Sequence, residues 1–342
     1  MNILVTGGAG FIGVNTAVRF LQRGDHVTIV DNLSRKGTEF NLAFLEKKYP
    51  TCRFVRGDVR TDQKELKALM EEHDVVLHLA AQVAVTTSVV NPREDFEINA
   101  LGTFNVLEAI RDSSNRPALL YASTNKVYGG LEHIPVTEDK ARYRFKGSVQ
   151  GVSEDCPLDF HSPYGCSKGA ADQYVRDYAR IYGLRTVVFR QSCIYGPHQL
   201  GVEDQGWVAW FLIAGLFARP VTVYGNGKQV RDLLYVDDLV DAYERTLDRI
   251  DTMSGQVINL GGGPGNTLSL LEFLEFMRTE LSLPIKYSFG ELRAGDQPIF
   301  VSDNTKMEKL AGWKPKVAVA EGIPKLLSWL RENSGMLEGF YS

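Results

Sequence analysis

The 342-residue sequence predicts an α/β fold, with a doubly wound parallel sheet and a second, smaller lobe toward the C-terminus. In the first half of the chain, short β-branched runs alternate with amphipathic stretches, as is typical of a parallel sheet covered by helices on both faces. A glycine-rich turn directly follows the first of these runs. After about residue 129, proline, glycine and aromatic residues become frequent, which favours loops and short elements.

Seven short segments rich in β-branched and other apolar residues are predicted as buried strands. They are residues 2–6, 26–30, 52–56, 74–79, 118–122, 185–190 and 256–260. The last two are expected to extend the same sheet late in the chain. Four stretches between the first five strands carry apolar residues at helical spacing and are predicted as helices. They are residues 11–23, 41–48, 64–72 and 95–111.

The domain boundary is expected to be interleaved, because no linker of distinct composition is present. We predict a first domain over residues 1–190, with late strands near 230–262 returning to it, and a smaller lobe formed mainly by residues 191–342. No self-similarity appears at a period of 20–50 residues, so the pattern is not that of a solenoid.

Composition and charge exclude several classes of function. The chain has 38 Lys and Arg against 42 Asp and Glu, a net charge of −4, which gives no general attraction to nucleic acid or to an anionic membrane. The four cysteines show no CxxC or Cys/His spacing, so neither a structural disulfide nor a metal site is expected. No run of about 18 apolar residues occurs, and the strand-like start lacks signal-peptide features. We therefore expect a soluble cytoplasmic protein.

The segment Gly8-Ala9-Gly10-Phe11-Ile12-Gly13 separates the first predicted strand from the first predicted helix. It matches GxGxxG, and Gly7, Gly10 and Gly13 also match GxxGxxG. Glycine allows the tight turn and lets backbone N–H groups approach a pyrophosphate, while the following helix N-terminus adds partial positive charge. The segment predicts a Rossmann-like dinucleotide site.

The residue that ends the second strand indicates NAD as the cofactor. Asp31 lies 18 residues after Gly13, where its carboxylate can accept hydrogen bonds from both ribose hydroxyls. The carboxylate also repels a 2′-phosphate and so favours NAD over NADP, whereas Arg35 or Lys36 could pair with such a phosphate. Two later loops could also contact the cofactor, Asp58-Val59 at an adenine edge and Leu79-Ala80-Ala81-Gln82 along its flat face. Taken alone, the same residues could equally cap a helix or pack it on the sheet.

Tyr164 and Lys168 form a YxxxK pair on a helix predicted to follow Pro163. Residues four apart share a helical face, so the ammonium is expected to lower the pKa of the phenol and make Tyr164 a usable acid and base. Ser123 and Thr124 follow the fifth strand, which places them at the same edge of the sheet as the glycine turn. These four residues are the predicted catalytic set.

The chain resembles the extended short-chain dehydrogenase/reductases of the nucleotide-sugar epimerase/dehydratase family. The resemblance covers nearly the whole chain and is specific because many landmarks occur together. They are residues 6–13 (TGGAGFIG), 31–34 (DNLS), 57–58 (GD), 78–81 (HLAA), 123–124 (ST), Tyr164 with Lys168, 195–197 (YGP), 231–232 (RD) and 293–296 (RAGD).

The resemblance implies roles for individual residues. Tyr164 would act as the base on a sugar hydroxyl, Thr124 or Ser123 would hydrogen-bond the same oxygen, and Lys168 would also hold the nicotinamide ribose. NAD would be tightly bound and regenerated in each turnover, and the protein would be a homo-oligomer, a dimer or a tetramer, formed through helices. The further NAD contacts implied are Asn32, Ser34 and Asn99.

Two departures from the family pattern narrow the expected activity. The 4,6-dehydratase branch carries an Asp-Glu pair directly after the Ser/Thr, whereas this chain has Asn125-Lys126. Without that proton donor and acceptor, dehydratase chemistry is not expected. Cys193 stands two residues before Tyr-Gly-Pro, where many members have asparagine. The small thiol leaves room for a differently oriented sugar, supplies a weak hydrogen-bond donor, or packs as a buried hydrophobe.

Further segments resemble the 2-epimerases that act on CDP-activated sugars. They are residues 82–88, 123–129, 159–174, 204–208 and 225–232. This resemblance implies a CDP-hexose or CDP-dideoxyhexose substrate and inversion at C2, by transient oxidation to a 2-keto sugar and return of hydride to the opposite face. A UDP-sugar 4-epimerase, a net NAD-dependent dehydrogenase and a non-catalytic dinucleotide-binding sensor are the alternatives.

A nucleotide-diphosphate sugar requires cationic groups for its two phosphates. Arg231 and Arg293 are the predicted anchors, and Asp296 is expected to take ribose or sugar hydroxyls. Tyr224 and Trp207 could stack on the base, although buried aromatic residues more often belong to a core. The remaining predicted substrate contacts are Thr86, Ser88, Asn125, Cys193 and Gln205.

Overall fold

The computed structural model describes residues 1–293 and 295–341. Ala294, part of one sequence landmark, and Ser342, the predicted end of the second lobe, lie outside the described residues. The chain divides into two compact units: residues 1–127, 162–190 and 240–258 form the first, and residues 128–161, 191–239 and 259–342 form the second. Residues 128–161, which the sequence analysis assigned to the first domain, therefore group with the second unit.

Sixteen strands are present in the described chain. They are β1 (Asn2–Thr6), β2 (His26–Asp31), β3 (Arg53–Arg56), β4 (Val75–His78), β5 (Ala118–Thr124), β6 (Val136–Glu138), β7 (Tyr143–Phe145), β8 (Thr186–Gln191), β9 (Ile194–Tyr195), β10 (Val221–Tyr224), β11 (Val230–Asp232), β12 (Leu234–Tyr235), β13 (Val257–Leu260), β14 (Thr267–Ser269), β15 (Tyr287–Gly290) and β16 (Ile299–Phe300).

The described residues also form fourteen α-helices. They are α1 (Phe11–Arg23), α2 (Thr38–Lys48), α3 (Gln63–Glu72), α4 (Val85–Val90), α5 (Pro92–Phe96), α6 (Gly102–Asp112), α7 (Ser162–Tyr182), α8 (Trp207–Leu216), α9 (Val236–Leu247), α10 (Ile250–Met253), α11 (Leu270–Thr279), α12 (Thr305–Ala311), α13 (Val319–Glu332) and α14 (Ser334–Tyr341). A π-helical turn, Glu97–Leu101, joins α5 to α6.

A seven-stranded sheet organises the first unit, in the order β13-β8-β5-β4-β1-β2-β3. The pairs β1–β2, β1–β4, β2–β3 and β4–β5 are parallel. Strands β1 and β4 are almost entirely buried, as expected for apolar runs covered on both faces. The predicted α/β fold with a doubly wound parallel sheet is thus confirmed.

The predicted strands and helices match the observed ones, with small shifts at their ends. The stretch predicted as one helix over residues 95–111 is observed as α5, the π-helical turn and α6. Of the late strands expected to return to the large sheet, only β13 does so. Strand β11 pairs instead with β14 and β16, and β12 pairs with β9.

The second unit has small sheets around its own apolar core. Helix α8 is almost entirely apolar, and its residues pack with Phe273 and Met277 of α11 and with Ile323 and Leu327 of α13. Within the described residues, no helix is long and apolar enough to cross a membrane. No cluster of three or more His, Cys, Asp or Glu side chains in the same residues is arranged to hold a metal ion.

Candidate active site

The glycine loop lies where the strand order of the large sheet reverses, between β1 and β4. Sheets of this type open a crevice at the carboxyl ends of the strands at such a point. Gly7 has φ 68°, and a Cβ there would be 2.7 Å from the backbone nitrogen of Ala80. A Cβ on Gly13 would be 2.4 Å from the carbonyl oxygen of Gly7. Glycine at position 7 therefore lets the loop pass close to the residues after β4, and glycine at position 13 lets α1 begin against the loop itself.

Asp31, at the end of β2, is held beside this loop. Its Oδ2 accepts a hydrogen bond from the Ala9 N–H at 3.1 Å, and its Oδ1 accepts one from the Leu33 N–H at 2.8 Å. Asn41 of α2, which the sequence analysis did not select, donates to the Ala9 carbonyl at 3.1 Å. Burial raises the pKa of Asp31, and the two backbone donors oppose that shift.

Asn32 and Asp58 lie together after β2 and β3. Asn32 Nδ2 donates to Asp58 Oδ2 at 2.9 Å, and Arg60 pairs with the same carboxylate at 2.7 Å. The Arg60 hydrogen bonds lower the pKa of Asp58 to about 2. Asp58 therefore does not cap α3, for which Asp62 is the N-cap residue.

The other predicted cofactor contacts differ in their exposure. Ser34 and Arg35 are exposed, whereas Val59 is buried in the core. Leu79, Ala80, Ala81 and Gln82 are half-buried, as are Gly10, Phe11 and Ile12. Half-buried residues at the carboxyl ends of β1 and β4 can contact a ligand, whereas Val59 acts by packing.

Asn99 connects the loop after β4 to helix α7. Its Oδ1 accepts from the Gln82 N–H at 2.9 Å, while its Nδ2 donates to the Gln82 carbonyl and to Ser167 Oγ, both at 3.1 Å. The Ser167 hydroxyl also donates to Asp95, a buried carboxyl whose pKa is raised by desolvation. The amide of Asn99 is thus engaged by protein groups and positions Gln82.

Three consecutive residues at the end of β5 contact three residues of α7 that are spaced four apart. The Ala122 carbonyl accepts from Lys168 Nζ at 2.6 Å, and Ser123 Oγ donates to Asp172 Oδ2 at 2.8 Å. The Thr124 side chain lies beside the Tyr164 phenol and opposes the rise in the pKa of Tyr164 that burial causes. The structure therefore brings all four predicted catalytic residues together, and it distinguishes Thr124, which contacts Tyr164, from Ser123, which does not.

Burial is the main influence on the Tyr164 phenol. It raises the pKa of Tyr164 to about 12, with Asp95 adding to the shift and the Thr124 hydrogen bond opposing it. The expected lowering of this pKa by Lys168 is absent from the structure, because the ammonium is directed to the Ala122 carbonyl and toward the Tyr121 ring. The direction predicted for the phenol from the YxxxK spacing was therefore wrong.

Lys168 is almost completely buried. Burial lowers its pKa to about 7, and the nearby carboxylates of Asp172 and Asp95 only partly offset that effect. His78, at the end of β4, is also buried and bonds Thr6 at 2.6 Å and Thr103 at 3.0 Å, and its pKa is lowered to about 3. A neutral histidine and a lysine that can lose its proton near neutrality lie at this part of the sheet.

The first unit also contains three predicted substrate contacts. Ser88 is buried and accepts from the Tyr164 N–H at 3.1 Å while donating to the Val85 carbonyl at 2.6 Å, so it anchors the start of α7. Thr86 Oγ1 is buried and has no hydrogen-bond partner among the described residues. Asn125 is buried beside Thr124, with Oδ1 3.5 Å from Thr124 Oγ1. Thr86 and Asn125 thus remain candidates, whereas the Ser88 hydroxyl is already used.

In the second unit, Arg231 and Asp296 form a half-buried ion pair at 2.5 Å. Asp296 also lines a cavity of about 170 Å³, together with Tyr143, Leu292 and Pro298. The other lining residues are Gly225, Asn226 and Gln229, so the cavity offers both apolar and hydrogen-bonding groups to a ligand.

Arg293 lies next to acidic residues and an aromatic ring. Its guanidinium contacts Asp204 at 3.1 Å and stacks 3.8 Å from the centre of the Tyr224 ring. Tyr224 donates through its hydroxyl to Glu203 at 2.9 Å. One face of Tyr224 is therefore covered by Arg293, which leaves only the other face for stacking on a base.

The last three predicted contacts are also in the second unit. Trp207 packs edge-on against Phe211 and Phe273, so its ring belongs to the core of this unit. Cys193 has φ 37°, and its carbonyl accepts from the Leu234 N–H at 3.2 Å. Gln205 closes a tight turn through two backbone hydrogen bonds to Val202, both 2.9 Å.

The buried ion pair between Asp172 and Arg190 was not predicted from the sequence. Both contacts between the guanidinium and the carboxylate are 2.9 Å, and neither side chain is more than 3% exposed. Asp172 lies four residues after Lys168 and eight after Tyr164 on α7, so helical spacing alone could have drawn attention to it.

The arrangement of the first unit fits NAD. Three positions of the glycine loop, 7, 8 and 13, leave no room for a Cβ, and the Asp31 carboxylate is fixed beside that loop. Both lie where the strand order reverses. The loop would take the pyrophosphate and Asp31 the ribose hydroxyls, and NAD supplies the capacity to accept and return hydride.

Comparisons with known proteins agree with this geometry. The family described as NAD dependent epimerase/dehydratase matches residues 3–261. The chain is 44% identical over 336 residues to CDP-paratose 2-epimerase of Salmonella typhi, covering 96% of this chain and 99% of the relative. It is 34% identical to dTDP-glucose 4,6-dehydratase of Mycobacterium tuberculosis, covering 97% and 94%.

Solved structures show the same fold. The crystal structure of UDP-glucose 4-epimerase from Thermotoga maritima, determined with UDP-glucose, superposes with a TM-score of 0.81 at 29% identity, covering 98% of this chain and all of the other. With the glycine loop, Asp31 and the Tyr164–Thr124 contact in place, these matches identify the chain as a member of the NAD-dependent epimerase/dehydratase family.

Proposed function

We propose that the protein is an NAD-dependent nucleotide-sugar epimerase that inverts C2 of a CDP-hexose or CDP-dideoxyhexose, of the CDP-paratose/CDP-tyvelose type. The observation that carries this proposal is the buried contact of Thr124 with Tyr164 in a chain 44% identical to a CDP-paratose 2-epimerase. Sites of this kind need an acid/base within hydrogen-bond reach of the reacting hydroxyl.

Tyr164 is the proton acceptor and donor in the proposed reaction. When the sugar is oxidised at C2, the phenolic oxygen takes the proton of the C2 hydroxyl, and Thr124 hydrogen-bonds the same substrate oxygen. The 2-keto sugar then turns, hydride returns to its opposite face, and Tyr164 gives the proton back. Tyr164 therefore starts and ends the cycle as the phenolate and is the phenol only while the 2-keto sugar is present. The raised pKa of the phenol makes the phenolate a strong base for the first transfer but also makes this form harder to reach.

The same site does not support elimination of water. Elimination requires an acid and a base beside the Thr124 position, whereas Asn125 and Lys126 occupy those positions. Asn125 is an amide and has no titratable group that could act as a general acid or base at neutral pH. We therefore infer that this chain does not catalyse the reaction of its 4,6-dehydratase relative, although the two chains are similar over nearly their whole length.

Arg231 and Arg293 are the proposed anchors of the diphosphate. Asp296, the ionic partner of Arg231, lines the cavity whose walls include Leu292 and Pro298, and we propose that this cavity takes the pyrimidine ring. A guanidinium can bind a phosphate through two parallel hydrogen bonds. Substrate binding would require Arg231 to exchange part of its contact with Asp296 for the phosphate.

A homo-oligomer is also part of the proposal. Helices α4, α5 and α7 expose large apolar side chains, including Val90 at 86%, Ile181 at 66% and Phe96 at 57%. Exposed apolar side chains of this size favour association with a second copy. Sedimentation of the purified protein over a range of concentrations tests this point, and a monomer at all concentrations contradicts it.

Proton NMR of the purified protein with CDP-glucose in D₂O, without added NAD, tests the reaction. Formation of the C2 epimer with hydrogen retained at C2 is the expected result, because hydride leaves and returns without exchanging with solvent. Deuterium at C2 would mean proton abstraction from carbon and would contradict the mechanism. CDP-dideoxysugars and UDP-glucose are tested in parallel, since inversion at C4 of UDP-glucose alone would identify a 4-epimerase.

A further inference from the structure

The end of β5 is fixed to α7 by a regular set of contacts. Ala122, Ser123 and Thr124 contact Lys168, Asp172 and Tyr164 respectively. Successive side chains of a strand point to opposite faces, so Ser123 and Thr124 cannot both face the same ligand. The Ser123 hydroxyl is the one directed to Asp172.

Asp172 is a strong acceptor at the centre of these contacts. It is completely buried and receives hydrogen bonds from Arg190 Nε and Nη2, from Gln173 Nε2 and from Ser123 Oγ, all between 2.8 and 2.9 Å. A serine hydroxyl has one proton to donate, and that of Ser123 goes to the carboxylate. The bond is charge-assisted, so it is costly to break for a substrate contact.

We propose that Ser123 is a positioning residue rather than a substrate contact. Its hydroxyl donates to Asp172, the partner of Arg190, and so fixes the end of β5 on α7 with Thr124 facing Tyr164. The proposal rests on the proposed function, because it concerns the geometry of that reaction. The Arg190 side chain from β8 holds the carboxylate in place, which ties three neighbouring elements together.

Removing the Ser123 hydroxyl is expected to disturb the alignment of Thr124 with Tyr164. If the Ser123 hydroxyl is removed, β5 loses its bond to Asp172, and the Thr124 hydroxyl can shift relative to the phenol. Misplacement by about 1 Å at a reacting centre lowers rates by about 10²-fold. For Ser123→Ala we expect kcat to fall about 10- to 100-fold, while KM changes less than about threefold.

The test compares Ser123→Ala in two backgrounds, as in a double-mutant cycle. One is the wild-type holoenzyme, and the other carries Asp172→Leu and Arg190→Met, which replaces the buried pair by apolar residues without leaving one charge unpaired. If Ser123 acts through Asp172, Ser123→Ala lowers kcat in the wild type but has little further effect in the second background. An equal loss in both backgrounds would mean that Ser123 contacts the substrate and would overturn the proposal.

Gln173→Ala is the matched control, because Gln173 donates to the same carboxylate at 2.8 Å but belongs to α7 itself. It should leave kcat unchanged, and a loss equal to that of Ser123→Ala would contradict a role specific to the strand end. Amide hydrogen exchange at residues 122–126 supplies a readout that does not depend on activity. Exchange should be faster in Ser123→Ala, and unchanged exchange would overturn the proposal even if the second background fails to fold.

Failure of the proposed function would look different. A wild-type protein that binds NAD but turns over no nucleotide sugar defeats the epimerase assignment. The exchange experiment still decides whether Ser123 fixes β5 on α7.

Discussion

Lys168 Nζ donates a hydrogen bond to the Ala122 carbonyl at 2.6 Å and lies 4.3 Å from the centre of the Tyr121 ring. No carboxylate within 4 Å pairs with this ammonium among the described residues, although Asp172 and Asp95 act on it from farther away. Its burial therefore costs free energy at any pH at which it is charged.

Replacing Lys168 by methionine should stabilise the fold at low pH. In the native state the pKa is about 7 rather than 10.5, so between these values the unfolded state binds more protons and the free energy of unfolding rises with pH. Lys168→Met removes this dependence. We expect the variant to be more stable than the wild type by about 1–3 kcal/mol at pH 6, allowing for the lost Ala122 hydrogen bond.

Urea unfolding at pH 6, 8 and 9.5 measures this difference. The gap between the two proteins should narrow as pH rises above 7, and a gap that stays constant would contradict the linkage. Lys64→Met is the control, because Lys64 is an exposed residue of α3 and its replacement should change stability little at any pH.

Replacing Tyr164 by phenylalanine should remove the acid/base while keeping the ring. General acid–base catalysis contributes about 10²–10⁴-fold, and we expect a loss of that size in kcat for Tyr164→Phe. Thr124→Val, which removes the hydroxyl that contacts the phenol, should lose less, about 10- to 100-fold.

Initial rates of epimer formation with CDP-sugars provide the measurement. Tyr287→Phe is the control, because Tyr287 is an exposed residue of β15 in the second unit. A Tyr164→Phe variant that retains most of its activity would show that another group moves the proton.

The sequence predicted the first unit well because its signals are local. Buried parallel strands are apolar runs, and glycine at positions 7 and 13 reflects a loop with no room for a Cβ. The predicted set of Tyr164, Lys168, Ser123 and Thr124 also meets in space, since residues at the carboxyl ends of parallel strands share one edge.

The sequence did not separate the roles of Ser123 and Thr124. They are adjacent, and the face that each occupies depends on how β5 packs against α7. The Asp172–Arg190 pair was missed for a similar reason, because one residue belongs to a helix and the other to a strand. Strands β11 and β12 were placed in the wrong sheet, since a short apolar run does not specify its neighbour.

Gly13→Ala should destabilise the protein and weaken NAD binding, although alanine is the better helix former. The new Cβ would be 2.4 Å from the Gly7 carbonyl oxygen and 2.6 Å from Gly8 Cα, and these are backbone atoms that cannot move aside as a flexible side chain can. We expect a loss of about 1–3 kcal/mol, in the range for an overpacked buried site. Gly339→Ala in α14 meets no atom within 4 Å and should instead gain up to about 1 kcal/mol.

Thermal unfolding with and without NAD separates the two effects of Gly13→Ala. A shifted glycine loop reduces the stabilisation by NAD as well as the stability of the protein without it. If Gly13→Ala unfolded at the wild-type temperature and were stabilised by NAD to the same extent, the close approach of Gly13 to Gly7 would not limit the loop.

Arg231→Met should weaken substrate binding more than it slows turnover. Arg231 is half-buried, and its only ionic partner among the described residues is Asp296. In the proposed complex its guanidinium also binds a phosphate of the substrate. A hydrogen bond to a charged group contributes about 1.5–3 kcal/mol, which corresponds to a KM increase of about 10- to 150-fold.

The control is Arg278→Met, because the Arg278–Glu275 pair is exposed on α11 and such pairs contribute little. Calorimetry with CDP alone shows whether the lost affinity comes from contacts with the nucleotide part of the substrate. Equal CDP affinity in wild type and Arg231→Met would show that Arg231 does not bind the diphosphate, because removing a cation that binds a phosphate must lower the affinity for CDP.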